Sequence, residues 1–193
     1  MKANARIRIP KNRIAVLIGP NGAIKRELEK ITHTILTIDS KDGLVVVEST
    51  DDSEDPLAVW KARDIAHAIG RGFSPQRAFA LLDDDVYLRI VNLEEFGGTP
   101  NQIRRLKGRV IGKGGKTRRN IEELTNTYVA VMGNTVGVIG DVENQQIAVN
   151  AIIRLLKGAE HSTVNRYLNA QRRQLKRRRV LELWQPLGPD ATD

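Results

Sequence analysis

Apolar and polar residues alternate over Ala5-Arg-Ile-Arg-Ile9 and again over Val86-Tyr-Leu-Arg-Ile-Val91, the period of a strand that buries one face. After each stretch the period lengthens to that of a helix. The first such helix ends at Leu17. The second runs through Ile103, Leu106 and Val110 to Ile111, with Thr99 placed as N-cap and Pro100 at the first helical position. Each helix ends at a Gly-x-x-Gly turn, and another helix follows with Leu28 and Ile31, or Ile121 and Leu124, facing inward. Two strands come next, over residues 34–39 and 44–48 in one case and 128–132 and 136–139 in the other. Asp42-Gly43 and Gly133-Asn134 suit hairpin turns between them. An amphipathic helix closes each series, over residues 56–69 and 143–156, and Trp60 is expected to be core on the first of these.

The two series are copies of one another. Leu17–Thr34 aligns without gaps on Val110–Thr127, and Ile18, Gly19, Gly22, Arg26, Glu29, Thr32 and Thr34 recur identically 93 residues later. Apolar character is kept at Leu28/Ile121, Ile31/Leu124, Leu36/Val129 and Ile38/Val131. The order β-α-α-β-β-α, with Gly-x-x-Gly between the first two helices, resembles the KH domain of the eukaryotic topology, type I. The type II arrangement would show a single strand after the loop. The implied fold class is α+β: two tandem type I KH domains, each a three-stranded antiparallel sheet packed by three helices, plus a C-terminal basic helix. Boundaries fall at 1–72 for the first domain, 73–85 for a linker holding a short helix near Phe73–Leu82, and 86–160 for the second domain. The basic helix covers 161–184 and a tail 185–193.

Charge separates the two copies. The chain carries +8 formally, yet residues 1–85 hold 13 Lys/Arg against 13 Asp/Glu, so all the excess lies beyond. A polyanionic partner is implied, met mainly by the second copy. A Gly-x-x-Gly turn lets a phosphodiester backbone approach without side chains in the way, and the next helix offers amide donors and its positive dipole end. KH loops clamp unpaired nucleotides in this way. In the second copy the loop is Gly112-Lys113-Gly114-Gly115, and residues 100–119 hold eight basic side chains and no acidic one. The RNA-binding candidates are therefore Arg105, Lys107, Arg109, Ile111, Gly112, Lys113, Gly114, Gly115, Lys116, Arg118 and Arg119, with Arg104 nearby. Val110, Ile111, Val129 and Val131 supply groove and adjacent core, in a division the sequence leaves open. Gly19-Pro20-Asn21-Gly22 lacks a basic loop residue, and Pro20 removes a donor. Gly19, Asn21, Gly22 and Lys25 are the weaker RNA-binding candidates, and a structural or protein-docking role for the first copy stays equally open. Arg172–Arg179, with six basic residues in eight, extends the phosphate-contacting surface or forms a solvated helix face.

Other chemistries lack their residues. Gly115-Lys116-Thr117 has Val110 where the phosphate loop of an NTPase needs glycine. His33, His67 and His161 are scattered, and Asp51–Asp55 and Asp83–Asp85 read as a solvated loop and linker, so neither a catalytic set nor a metal site is expected, and no cofactor. Gly137-Val-Ile-Gly140 lies on a strand and is expected to mark a tight contact. With no cysteine, disulfides and thiolate zinc sites are excluded, and a cytoplasmic setting is the simplest expectation. No apolar run approaches the roughly 18 residues of a membrane span.

Arg105-Leu-Lys-Gly-Arg-Val-Ile-Gly-Lys-Gly-Gly-Lys-Thr-Arg-Arg-Asn-Ile-Glu-Glu-Leu-Thr125, the degenerate first copy and the basic tail together resemble the archaeal KH-domain proteins of small-subunit ribosome biogenesis, counterparts of the eukaryotic "partner of Nob one". The resemblance covers about residues 3–184. It implies binding near the 3′ end of small-subunit ribosomal RNA during precursor maturation. It also implies a Nob-one-type endonuclease and translation initiation factor two as partners, with cleavage belonging to the endonuclease. An exosome-type or messenger-RNA regulatory KH protein, and a KH scaffold that binds protein only, remain as alternatives.

Overall fold

The structure is a computed structural model and describes residues 4–50 and 55–183. The chain runs β1 (Asn4–Arg8), α1 (Lys11–Ile18), α2 (Ala23–Thr32), β2 (Thr34–Asp39), β3 (Leu44–Ser49) and α3 (Ala58–Gly70). A short α4 (Pro75–Ala78) and a 3₁₀ turn over Phe79–Leu82 follow. Then come β4 (Val86–Asn92), α5 (Pro100–Ile111), α6 (Lys116–Thr125), β5 (Tyr128–Met132), β6 (Thr135–Asp141) and α7 (Val142–Leu156), with α8 (His161–Leu183) last. Each unit is an α+β fold with an antiparallel three-stranded sheet, in the order β1-β3-β2 and β4-β6-β5. The β-α-α-β-β-α order and the two-unit organisation are those of tandem KH domains.

The pattern of inward residues explains the elements. Val45 and Val47 of β3 are buried among Ile14, Leu17, Leu28 and the Ala62/Ile65/Ala66/Ile69 stripe of α3. Val136 and Val138 of β6 meet Val110, Ile121 and the Ala148/Ile152/Leu155 stripe of α7 in the same way. Thr99 caps α5 reciprocally: its hydroxyl accepts from Gln102 N, and the Gln102 side chain accepts from Thr99 N. Asp141 accepts from Asn144 N at the start of α7.

The identically recurring polar residues hold each copy together. Glu29 Oε1 accepts from Leu36 N at 2.8 Å, and Glu122 Oε1 from Val129 N at 2.8 Å, so each carboxylate binds the strand that follows its helix. Buried Thr32 donates to Leu28 O and shares a hydrogen bond with Thr34. Thr125, Ile121 and Thr127 repeat that pair. Conservation between the copies at these positions is conservation of a helix-to-strand corner.

The joining segment is a packed element. Phe73, Ala78 and Leu81 are buried against Ala130 and Ile139 on the face of the second sheet that α7 does not cover. Hence every residue of β6 from Thr135 to Gly140 is buried, whereas β3 alternates. Gly137 is a tight contact as its place on the strand implied: a Cβ there would lie 2.7 Å from the Phe73 ring. Gly140 meets Thr127 equally closely.

Ile31, expected to face inward from α2, is 46% exposed, since that helix buries Leu28 and Thr32 instead. Trp60 departs from expectation likewise. It is 44% exposed, because the buried stripe of α3 runs through Val59, Ala62, Ile65, Ala66 and Ile69 and leaves Trp60 beside Arg63 and Asp64. The Arg63 guanidinium lies 4.8 Å from its ring centroid. Residues 51–54 of the first acidic stretch, and Trp184 with the tail, lie outside the described residues. Among the described residues no helix is long and apolar enough to cross a membrane.

Candidate nucleic-acid interface

The two Gly-x-x-Gly turns share one backbone geometry. Gly112, Gly114 and Gly115 have φ/ψ of 71/175°, 59/23° and 77/13°. Gly19, Asn21 and Gly22 have 72/177°, 50/27° and 75/16°. Each turn closes with the N–H of the last glycine donating to the carbonyl of the first, at 3.1 Å in the second copy and 3.2 Å in the first. Gly112 and Gly19 lie in a region only glycine adopts readily. A Cβ at Gly112 would also fall 2.2 Å from Thr117 Oγ1, and one at Gly19 2.4 Å from Ile24 Cγ1. Asn21 takes the left-handed conformation that Gly114 takes, a conformation asparagine tolerates better than most residues. That tolerance is the signal in the sequence that the degenerate first loop keeps its shape.

A Cβ on Gly114 or Gly115 would meet nothing within 4 Å, so the outer side of the second loop is open to an approaching backbone. Gly114 and Lys113 are exposed, and Lys116 is exposed at the start of α6. The first-turn amides of α6 add donors and the positive end of the helix dipole. Arg119 folds back, donating from Nη2 to Gly114 O at 2.8 Å, which places a guanidinium over the loop. Arg104 and Arg105 are exposed on α5. Ile111 and Val131 are partly buried, whereas Val110 and Val129 are wholly buried. Of the four residues expected to supply groove and core, the latter pair is core and the former pair keeps some exposed surface beside the loop helices and sheet.

Several basic residues expected at the site have other engagements. Arg109 donates from Nε to Leu155 O at 2.8 Å and from Nη2 to Ala159 O at 2.6 Å, clasping the end of α7. Its carbonyl receives His161 Nε2 at 2.9 Å. Lys107 Nζ reaches Gly133 O at 2.8 Å and ties α5 to the hairpin turn. Arg118 is half-buried, with its Nε lacking a hydrogen-bond partner among the described residues. In the first copy Lys25 stands 3.6 Å from Glu29, leaving that loop less positive still.

Sequence reasoning overlooked Arg13 and Arg77. Arg13 donates to Ile69 O and Phe73 O at 2.8 and 2.6 Å, the counterpart of the Arg109 clasp supplied from a different turn of the helix. Arg77 Nη1 binds Glu122 Oε1 at 2.8 Å, and its guanidinium lies 5.1 Å from the centroid of half-exposed Tyr128. Arg77, Glu122 and Tyr128, with Arg119, line a depression of about 520 Å³ on the flank of α6. Helix α8 packs on the second unit through Val164, Leu168 and Leu175, and exposes Arg172, Arg173, Lys176 and Arg177.

Comparison with known proteins follows the same division. Residues 87–173 match a family model described as a eukaryotic-type KH domain, type I, that of the second Pno1 domain. Residues 6–84 match the first KH domain of Krr1. A KH domain-containing protein of Methanocaldococcus jannaschii is 49% identical over 178 residues, 92% of this chain and 78% of that protein. RNA-binding protein pno1 of Dictyostelium discoideum is 31% identical over 158 residues, 80% of this chain and 65% of that protein. Among solved structures, a chain of the a/eIF2alpha–aDim2p–rRNA complex from Pyrococcus horikoshii superposes with TM-score 0.86 at 49% identity, covering 90% of this chain and 96% of that one. A protein of unknown function from Aeropyrum pernix superposes with TM-score 0.90 at 39% identity, covering 95% and 98%.

Proposed function

The chain belongs to the two-KH-domain family of archaeal Dim2p-like proteins, homologues of pno1 and of a ribosome-biogenesis factor, and from that membership we propose that it binds single-stranded RNA at the 3′-end region of small-subunit ribosomal RNA during subunit maturation. The observation that carries the reading is the second Gly-x-x-Gly loop. It combines an open outer side, amide donors, exposed Lys113 and Lys116, and Arg119 above it. The four-residue turn fits a phosphodiester backbone, and Ile111 with Val131 offers apolar surface to unstacked bases. The site residues are Gly112 to Lys116 with Ile111, Arg105 and Arg119. Arg109 and Lys107 act on this site indirectly, by holding α5 to α7 and to the hairpin. Gly19, Asn21, Gly22 and Lys25 form a weaker second loop.

The related aDim2p occurs in a complex with a/eIF2alpha and ribosomal RNA, which supports translation initiation factor two as a protein partner here. The family resemblance adds a Nob-one-type endonuclease, and the protein itself has a binding rather than a catalytic role.

The test is the affinity for an oligonucleotide from the small-subunit ribosomal RNA 3′ end, beside a scrambled RNA, with and without Lys113→Asp/Gly114→Asp. Asn21 shows that a side chain fits this backbone, so the variant keeps its fold. Wild-type binding should weaken with salt at a slope of about −0.7 per neutralised phosphate on single strands. Selective binding lost in the variant is the expected result. Equal binding of both RNAs removes the 3′-end target, and undiminished binding by the variant removes the loop.

A further inference from the structure

Three of the large apolar side chains exposed on this protein lie together and far along the chain from both loops. Leu57, Trp60 and Tyr87 are 55%, 44% and 48% exposed and line one depression of about 380 Å³ between α3 and the start of β4. No residue of a Gly-x-x-Gly turn, or of the helices flanking it, belongs to its lining. Its rim is acidic in a chain that is otherwise basic: Asp55, Asp64, Asp83 and Asp84 contribute four carboxylates, against the ammonium of Lys61 and the guanidinium of Arg63, which pairs with Asp64 at 2.6 Å. Lys61 Nζ is already committed to two of them, at 3.2 Å from Asp55 Oδ2 and 2.6 Å from Asp84 Oδ1. This is the wrong chemistry for RNA, whose phosphates the carboxylates repel.

It is the right chemistry for a protein. Exposed tryptophan and tyrosine are the side chains that most often anchor protein interfaces, and a charged rim selects the partner by sign. Arg63, 4.8 Å from the Trp60 centroid, shows that this ring accepts a guanidinium on its face.

We infer that the Leu57–Trp60–Tyr87 depression is the docking surface for the initiation-factor partner, and that it takes a segment of that partner bearing arginine or lysine beside apolar side chains. The inference rests on the proposal that this chain binds a protein as well as RNA. Simultaneous seating of two such ligands needs two separate surfaces of opposite character, and the basic loop face and this acidic aromatic depression supply them. A docked cation would meet Asp83 at the rim and share Asp64 with Arg63, while its apolar neighbours cover Leu57 and the ring edges of Trp60 and Tyr87.

The test uses the full chain, a/eIF2alpha of Pyrococcus horikoshii as probe, and calorimetric titration. The variants are Trp60→Ala/Tyr87→Ala and, separately, the charge reversal Asp84→Lys at a side chain 80% exposed, where folding is least at risk. Both should bind the factor at least about tenfold more weakly, with affinity for the RNA oligonucleotide unchanged within about twofold. Wild-type chain that fails to bind the factor overturns the partner assignment itself. Wild-type chain that binds, with both variants binding equally well, leaves the partner standing and overturns this surface. Sedimentation of the wild-type chain covers the remaining occupant, a second copy: Arg173, Lys176, Arg177, Val180 and Leu181 on α8 have the same basic and apolar character. A dimer that dissociates in the Trp60/Tyr87 variant would assign the depression to self-association and overturn the inference.

Discussion

Replacing Arg109 with alanine separates folding from RNA contact at the basic helix α5. Nε and Nη2 of Arg109 donate to Leu155 O and Ala159 O at 2.8 and 2.6 Å. Hydrogen bonds from a charged donor contribute about 1.5–3 kcal/mol each when partly buried. Leu155 O also accepts from Gly158 N at 3.1 Å, so its loss is partly covered, whereas Ala159 O loses a short contact. The two together put the cost at about 2–3 kcal/mol, which for a protein of this size lowers Tm by roughly 4–12 °C. At a temperature well below that Tm, the affinity of Arg109→Ala for RNA should stay within about fivefold of wild type, since both donating groups are already taken by carbonyls at the end of α7 and a screened cation near phosphates is worth only about 1 kcal/mol. Lys113→Asp should behave in the opposite way, keeping its Tm while binding weakens at least about tenfold, because the exposed loop cation becomes an anion facing phosphate. Thermal denaturation and fluorescence anisotropy with a labelled oligonucleotide read the two quantities separately. If Arg109→Ala melts like wild type and loses RNA as severely as Lys113→Asp, the guanidinium is an RNA ligand and the clasp on α7 contributes nothing.

Within one loop, two glycines should respond differently to alanine. Gly112→Ala should cost about 3 kcal/mol or more in urea denaturation, from its backbone region and the collision with Thr117, whereas Gly114→Ala should cost about 1 kcal/mol. Equal costs would show that the loop relaxes freely. Glu122→Ala removes the acceptor of Val129 N and of Arg77 together, and should destabilise by about 2–3 kcal/mol, more than Glu29→Ala, whose cation is the more distant Lys25. Comparison of their urea midpoints decides it. His67 is pushed below its ordinary pKa by burial first and by the Arg71 charge second, and its Nε2 accepts from Arg71 Nε at 3.2 Å, which requires the neutral ring. The unfolded chain then binds a proton that the native state resists, so stability should fall as pH drops through about 6.5. In His67→Gln that part of the pH dependence of the urea midpoint should vanish, and its persistence would assign the dependence to another group.

The elements and the loop were legible because the chain states them twice. Every strand and helix of the two series lies within a few residues of the place its apolar period put it, and the helix forecast near Phe73–Leu82 is there as α4 and its 3₁₀ turn. Less legible were the destinations of long polar side chains. Arg13 and Arg109 do the same work but stand one turn apart, so the gapless alignment sets Arg13 against Leu106 and hides their equivalence. A run of cations on α5 reads as one electropositive face, and only the position of α7 reveals which of them is taken by carbonyls. Trp60 misled for a related reason: α3 carries enough alanine and isoleucine to bury a complete stripe without it. Gly137, by contrast, was a readable mark of close approach whose partner, the Phe73 ring, lay too far along the chain to name.

The junction follows from these same contacts. Phe73 presents its carbonyl to Arg13 of α1, the helix that leads into the first loop, and its ring to Gly137 of the second sheet. Four residues on, Arg77 binds Glu122 of α6, the helix that leaves the second loop. The carboxylate of Glu122 is also the acceptor that fixes the start of β5. A single segment thus touches the helix before one loop and the helix after the other, through groups that are themselves structural within each copy. Glu29, which sits in the equivalent corner of the first copy and likewise accepts from the following strand, has no such visitor among the described residues, where its ion pair is the local one with Lys25. Duplication supplied the corner twice, and the joining segment uses the second of them as its anchor. The relative placement of the two Gly-x-x-Gly turns is therefore part of the fold, set by buried aromatic packing and a charge-assisted bond to a mostly buried carboxylate.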